Sequence, residues 1–114
     1  MTKKNLDQAR NLDKKHFKRL WEAAVAMIKE NYIVKSEKTD EIFIQAKNIE
    51  DFDIEITFDG PPAIYYFHVN LWNIKNGYSS VKNTECNSLL EMFMVIDEYL
   101  DEIKAISKYG PRNS

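Results

Sequence analysis

The chain has 114 residues, of which 44% are hydrophobic and 30% charged, with a formal net charge of −2 at pH 7. This length fits one domain, and the composition excludes a disordered chain. The single cysteine excludes an intramolecular disulfide, and no apolar run is long enough for a signal peptide or a membrane span. We therefore expect a cytoplasmic, globular protein.

The first predicted element is an amphipathic helix over residues 13–31. Phe17, Trp21 and Ala24 recur there at helical spacing, with lysines and glutamates elsewhere around the axis. Residues 1–12 either form earlier turns of this helix or a frayed tail.

From residue 32 onward, apolar and polar residues alternate, which predicts β-strands. Asp59-Gly60-Pro61-Pro62 interrupts the pattern before a run that is apolar in both parities, and Asn76-Gly77 predicts a two-residue hairpin turn. The predicted strands are 33–35, 42–46, 52–58, 63–72 and 78–82.

A second amphipathic helix is predicted at about 85–108, starting at Thr84 or Ser88. Ser88-Leu89-Leu90-Glu91 matches a capping box, and Gly110-Pro111 ends the helix.

The order of helix, strands and helix predicts an α+β fold. Four to five strands would form an antiparallel meander, with the N-terminal and C-terminal helices packed on one sheet face. Residues 13–110 would form a single domain and residues 111–114 a tail.

The other sheet face is the first candidate binding surface. A tight turn at Asp59-Gly60-Pro61-Pro62 would place Asp53 opposite His68, and the two-residue turn would place Trp72 opposite Val81. In these registers the apolar residues beyond Asn70 move to this second face, which implies either a bulge in the strand or a small second apolar cluster. The first turn would also place Glu55 opposite Tyr66, Thr57 opposite Ile64 and Asp51 opposite Asn70, and the second would place Ile74 opposite Ser79.

Aromatic residues with a polar rim are typical of protein interfaces. The alternatives are that another segment covers this face, or that its residues are strand formers exposed to solvent. The predicted contacts are Tyr66, His68 and Trp72, rimmed by Asp51, Asp53 and Glu55, with Ile64, Ile74 and Val81 as apolar neighbours.

The last helix offers a second candidate surface, an acidic outer side suited to a basic partner. A merely solvated helix side is the alternative. The carboxylates concerned are Glu91, Asp97, Glu98, Asp101 and Glu102.

Catalysis finds little support in the sequence. His68 with Asp53 is the candidate acid–base pair, but no nucleophile or oxyanion donor is placed beside it. The three glycines lie at turns and at a helix end, which excludes a glycine-rich phosphate loop. We expect no enzymatic activity, no cofactor and no metal site.

Charge is unevenly distributed along the chain. Residues 1–38 hold ten Lys or Arg and five Asp or Glu, whereas residues 39–114 hold six and thirteen. The alternative function is therefore nucleic-acid binding by the first helix. The element order resembles the double-stranded-RNA-binding domain in topology, but the last helix here is acidic where that family has a basic one. The candidate phosphate contacts are Lys14, Lys15, Lys18 and Arg19.

The sequence thus predicts a small non-enzymatic protein that works by protein–protein binding, as adaptors, inhibitors and immunity proteins do. The partner would be another protein or a second copy in a homodimer.

Overall fold

The computed structural model describes the backbone of residues 3–59, 65–75 and 77–109, and side chains from His16 onward within these ranges. The structure has a five-stranded antiparallel sheet with its strands in chain order, preceded in sequence by an N-terminal helix and followed by a C-terminal helix. This confirms the predicted α+β meander. The elements are α1 (Lys3–Asn31), β1 (Ile33–Glu37), β2 (Glu41–Ala46), β3 (Ile49–Phe58), β4 (Phe67–Asn73), β5 (Ser79–Cys86) and α2 (Leu89–Tyr109).

Helix α1 packs on the sheet through side chains spaced three and four residues apart. Trp21, Ala24 and Ile28 are buried. The Trp21 ring stacks on Phe58 with centroids 5.6 Å apart, and its Nε1–H donates to the carbonyl of Thr39 at 2.8 Å. This tryptophan therefore joins α1 to the sheet and to the β1–β2 connection.

Helix α2 begins at Leu89 because a capping box precedes it. The Glu91 amide donates to Ser88 Oγ at 3.1 Å, and the Asn87 amide donates to Glu91 Oε2 at 3.2 Å. Of the two predicted starts, Ser88 is the right one. Thr84 is wrong because it belongs to β5.

The hydrophobic core occupies one face of the sheet. Alternate residues of the strands point into it, and both helices cover this side. We call the opposite side the open face, because no helix lies on it among the described residues. The fully buried core strand residues are Ile42, Ile44, Ile54, Ile56, Phe67, Val69, Leu71 and Cys86.

The predicted register between β3 and β4 is wrong. Asp53 pairs with Trp72, not with His68, which pairs with Thr57. The cause is the length of the connection: the Asp59 amide donates to the carbonyl of Tyr66 at 2.9 Å, so regular pairing starts after that residue and not at residue 63. Because the partner moves from 68 to 72, an even step, the same β3 side chains stay on each face.

The two-residue turn predicted between β4 and β5, which would place Trp72 opposite Val81, is also wrong. Trp72 pairs with Ser80, leaving Val81 as the extra residue of a bulge, and the connection spans residues 74–78. The bulge was one of the two alternatives predicted beyond Asn70. Gly77 has φ +98°, a conformation that glycine adopts without a Cβ penalty.

Candidate functional site

The open face is the candidate site, because its side chains have no helix above them in the described part of the chain. It crosses all five strands and mixes carboxylates, amides and aromatic rings. Its residues are Ile33, Lys35, Glu41, Phe43, Gln45, Asp53, Glu55, Thr57, His68, Asn70, Trp72, Tyr78, Ser80, Asn83 and Glu85.

At one end of this face, Asp53 is fully buried with both carboxylate oxygens engaged. Lys35 Nζ lies 2.7 Å from Oδ2, and Gln45 Nε2–H donates to Oδ1 at 3.2 Å. Lys35 lies on the same face as Ile33, two residues before it, and is the unpaired residue of a register irregularity between Val34 and Ser36. The hydrogen bond to Asp53 raises the pKa of Lys35. Asp53 is thus a structural anchor of the face, not an exposed rim residue.

At the centre, Glu55 accepts a hydrogen bond from Trp72 Nε1–H at 3.0 Å. Glu41 is the diagonal neighbour of Glu55 on the adjacent strand. A hydrogen bond between the two carboxyl groups raises the pKa of Glu41. The ring of Tyr78, 65% exposed, meets Trp72 edge-on with centroids 5.8 Å apart. Two neighbouring carboxyl groups therefore lie beside an aromatic pair.

The β4 and β5 part of the face is rich in amides. Ser80 Oγ–H donates to Asn70 Oδ1 at 3.0 Å, and His68 Nε2 lies 3.4 Å from Asn83 Oδ1. His68 faces Thr57 and Glu85 on the neighbouring strands. The acid–base pair of His68 with Asp53 is therefore not formed.

Tyr66 lies outside the open face, so its predicted place there is wrong. Its ring packs on Phe17 of α1 at a centroid distance of 4.9 Å. It precedes β4, so strand alternation does not govern its direction. Asp51 is exposed beside the start of the paired region, opposite Ile74 and not Asn70, since its carbonyl accepts the Ile74 amide at 2.8 Å. The predicted neighbour Ile64 lies outside the described residues.

The acidic side of α2 is partly engaged within the protein. Glu91 caps the helix, and Asp97 accepts a hydrogen bond from the Tyr32 hydroxyl at 2.8 Å. Glu102 lies 3.8 Å from Lys82 Nζ. The other two predicted contacts, Glu98 and Asp101, are exposed.

The candidate phosphate contacts lie on α1. Lys18 and Arg19 are exposed there, one helical turn before Trp21. The backbone at Lys14 and Lys15 is helical, and their side chains lie outside the described residues.

Sequence reasoning missed several residues of the open face, among them Lys35, Glu41, Gln45 and Tyr78. Pairing β2 with β3 by their alternating patterns would have placed Gln45 beside Asp53 and Glu41 beside Glu55. The irregularity at Lys35 and the bulge at Val81 have no comparable signal in the sequence.

The chain matched no model of a known protein family, no curated protein and no solved structure. In the described part of the chain, neither helix is long and apolar enough to cross a membrane. No group of three or more His, Cys, Asp or Glu side chains among the described residues could hold a metal ion.

Proposed function

We propose that this protein binds a protein partner through its open face and performs no chemistry of its own. The observation that carries this proposal is a five-stranded sheet whose two helices both lie on one side. Five strands spaced about 4.8 Å apart give a face roughly 20–25 Å wide, and seven-residue strands give a similar length. Such a face has a projected area of about 400–600 Å², roughly half to three quarters of the ~800 Å² that one partner contributes to a standard protein interface.

The composition of the face supports the same proposal. Tyr78 and the half-exposed Ile33 offer apolar surface at two edges, and Trp72 is held in place between them by its bond to Glu55. Aromatic anchors fixed by neighbouring groups are frequent hot spots, because they lose little conformational entropy on binding. Amides around them supply the polar rim of such interfaces.

The acidic side of α2 supports partner binding less well, because three of its five predicted residues already have intramolecular roles. Nucleic-acid binding by α1 is the second candidate. It is favoured by the exposure of Lys18 and Arg19 on a helix of 29 residues that also contains Lys14 and Lys15.

We further propose a cytoplasmic location, since the single cysteine, Cys86, is buried and unpaired. Burial raises the pKa of its thiol to about 11, which disfavours a reactive thiolate.

The test compares two variants that each remove two exposed apolar side chains. The first, Ile33→Ser with Tyr78→Ala, alters the open face. The control, Leu90→Ala with Met94→Ala, alters the exposed side of α2. Each variant and the wild type are used for affinity capture from the native host, and the captured protein is then purified and its dissociation constant measured.

We expect the open-face variant to bind the partner at least ~10-fold more weakly and the α2 variant to bind within about twofold of wild type. The reverse pattern would assign binding to α2 and contradict the proposal. Loss of binding to a mixed oligonucleotide after neutralising Lys14, Lys15, Lys18 and Arg19 would instead support the second candidate.

A further inference from the structure

The charge of the open face is strongly one-sided. Its single lysine, Lys35, is already paired with the buried Asp53. This leaves Glu41, Glu55 and Glu85 as the remaining carboxyl groups of the face among the described residues. Lys38, outside the face, approaches Glu41 at 3.9 Å but is 74% exposed, and such a pair contributes little. A partner that docks here would therefore gain from positive charge.

The central carboxyl groups are also fixed in position. Trp72 holds Glu55 by a 3.0 Å hydrogen bond, and Glu41 reaches Glu55 from the neighbouring strand. Two adjacent carboxylates match the forked donors of a guanidinium group. The exposed ring of Tyr78, next to Trp72, offers a surface over which a cation can lie.

We infer that the open face receives a basic polypeptide segment of another protein, with an Arg or Lys side chain bound at Glu41 and Glu55 beside Trp72 and Tyr78. This inference rests on the proposed function and specifies the chemistry of its partner.

A polypeptide fits this face better than a nucleic acid or a small cation. Phosphates would be repelled by the carboxylates. Small ligands prefer concave sites, and none of the three clefts lined by described residues includes Glu41, Glu55, Trp72 or Tyr78. The largest of these three, about 680 Å³, lies between α1 and the β1–β2 connection. An extended segment can instead contact several strands of a flat sheet at once.

Binding of a cation at this site is coupled to proton release. The hydrogen bond that protonated Glu41 donates to Glu55 raises the pKa of Glu41, so this carboxyl group holds its proton to a higher pH than an isolated glutamate does. A bound guanidinium favours the ionised pair, and the proton leaves to solvent. Affinity should therefore rise with pH through the titration of this pair. The other charged or titratable groups near the pair are Lys38 and Asp40 from the β1–β2 connection and, on the open face, Lys35 from β1, Asp53 from β3, His68 from β4 and Tyr78 from the β4–β5 connection.

The test uses ¹⁵N-labelled full-length protein and a synthetic 12-residue peptide of alternating Arg and Thr. The competing classes of ligand are matched Glu/Thr and Gln/Thr peptides, spermine, and a single-stranded RNA of 12 nucleotides. The decisive variant is Glu41→Gln with Glu55→Gln. Its control, Glu98→Gln with Asp101→Asn, removes the same charge from α2.

We expect the Arg/Thr peptide alone to shift the Trp72 indole signal, and the open-face variant to weaken its binding at least ~10-fold. The α2 control should remain within about twofold. Calorimetry in phosphate and Tris buffers should show proton release with wild type and with His68→Gln, but not with Glu41→Gln.

If both charge variants bind the Arg/Thr peptide more weakly by the same factor, the attraction is nonspecific and the inference is overturned. Equal binding of the Glu/Thr peptide, or tighter binding of the RNA or spermine, would also overturn it. A dimer that the open-face charge variant dissociates would assign the face to a second copy, against the inference.

The captured native partner separates this inference from the proposed function. If Ile33→Ser with Tyr78→Ala loses the partner but Glu41→Gln with Glu55→Gln retains it, the basic chemistry is wrong and the proposed function stands. If neither variant loses the partner, both are wrong.

Discussion

The two faces of the sheet use alternate residues of the same strands in different ways. On the helix-covered face, Ile54 and Ile56 are fully buried among aliphatic and aromatic neighbours. On the open face, Glu55 lies between them in sequence and instead engages Trp72 and Glu41. The first face supplies most of the hydrophobic stabilisation, whereas the second fixes polar groups in a defined arrangement. We expect stability to depend on one face and binding on the other.

The largest expected effect comes from the helix-covered face. Phe67→Ala should lower the free energy of unfolding by about 4 kcal/mol, because it leaves a cavity beneath Trp21 and Phe58. His68→Ala, one residue away and on the open face, should change it by less than ~1 kcal/mol. Urea denaturation followed by tryptophan fluorescence measures both. Similar losses would show that the faces do not differ in this way.

The ion pair between Lys35 and the buried Asp53 is the exception on the open face. Lys35→Met should cost about 3 kcal/mol, because the buried carboxylate of Asp53 loses its cation. Lys38→Met, which alters an exposed lysine, should cost less than ~0.5 kcal/mol. The comparison uses urea denaturation at pH 7.

The same pair predicts a dependence on alkaline pH. The hydrogen bond to Asp53 raises the pKa of Lys35 above the value of 10.5 expected in the unfolded chain. Its stabilisation is therefore complete below pH 10.5 and is lost as pH rises through the folded-state pKa. The free energy of unfolding of Lys35→Met should therefore fall less steeply at alkaline pH than that of wild type. Equal slopes in the two proteins would contradict the stabilising role of this ion pair.

A smaller effect tests the role of Glu91 in α2. Ser88→Ala should lower the free energy of unfolding by about 1 kcal/mol, because the Glu91 amide loses its cap. Glu91→Gln should cost less than ~0.5 kcal/mol, since glutamine can also accept the Asn87 amide. Thermal unfolding monitored by circular dichroism compares them. A large loss from Glu91→Gln would mean that its charge matters beyond capping.

The division into two faces was predictable from alternation alone. The predicted register of β3 and β4 was wrong, yet the side chains of β3 were assigned to the correct faces because the error was an even number of residues. The pairing itself depends on where the connection closes. That point is set by the contact of Asp59 with Tyr66, which no local pattern encodes.

The candidate site was predictable only in part, for the same reason. Trp72 and Glu55 were placed on the open face by parity, whereas Tyr66 was misplaced because it precedes β4 and packs on α1. Lys35 was missed because no pairing was predicted for the short strand 33–35, and that pairing brings its side chain to Asp53. Tertiary contacts and bulges thus decide which side chains meet.

The smallest expected stability effect has the opposite sign and comes from the centre of the open face. The hydrogen bond with Glu55 raises the pKa of Glu41 above its unfolded value, so the contribution of this pair is complete below that value and falls as pH rises through the folded-state pKa. Glu41→Gln can donate an amide hydrogen to Glu55 at every pH. It should therefore raise the free energy of unfolding at pH 7, by less than ~1 kcal/mol.

The measurement is the difference in unfolding free energy between wild type and Glu41→Gln from pH 4 to pH 7. This difference should grow with pH, whereas Glu98→Gln on α2 should give a nearly flat difference. A flat difference for Glu41→Gln as well would mean that the carboxyl groups do not share a proton in the folded protein. A difference in unfolding free energy that grows with pH for Glu41→Gln but not for Glu98→Gln would show that the open face keeps its central carboxyl pair at some cost in stability. Such a cost is expected of groups that serve binding.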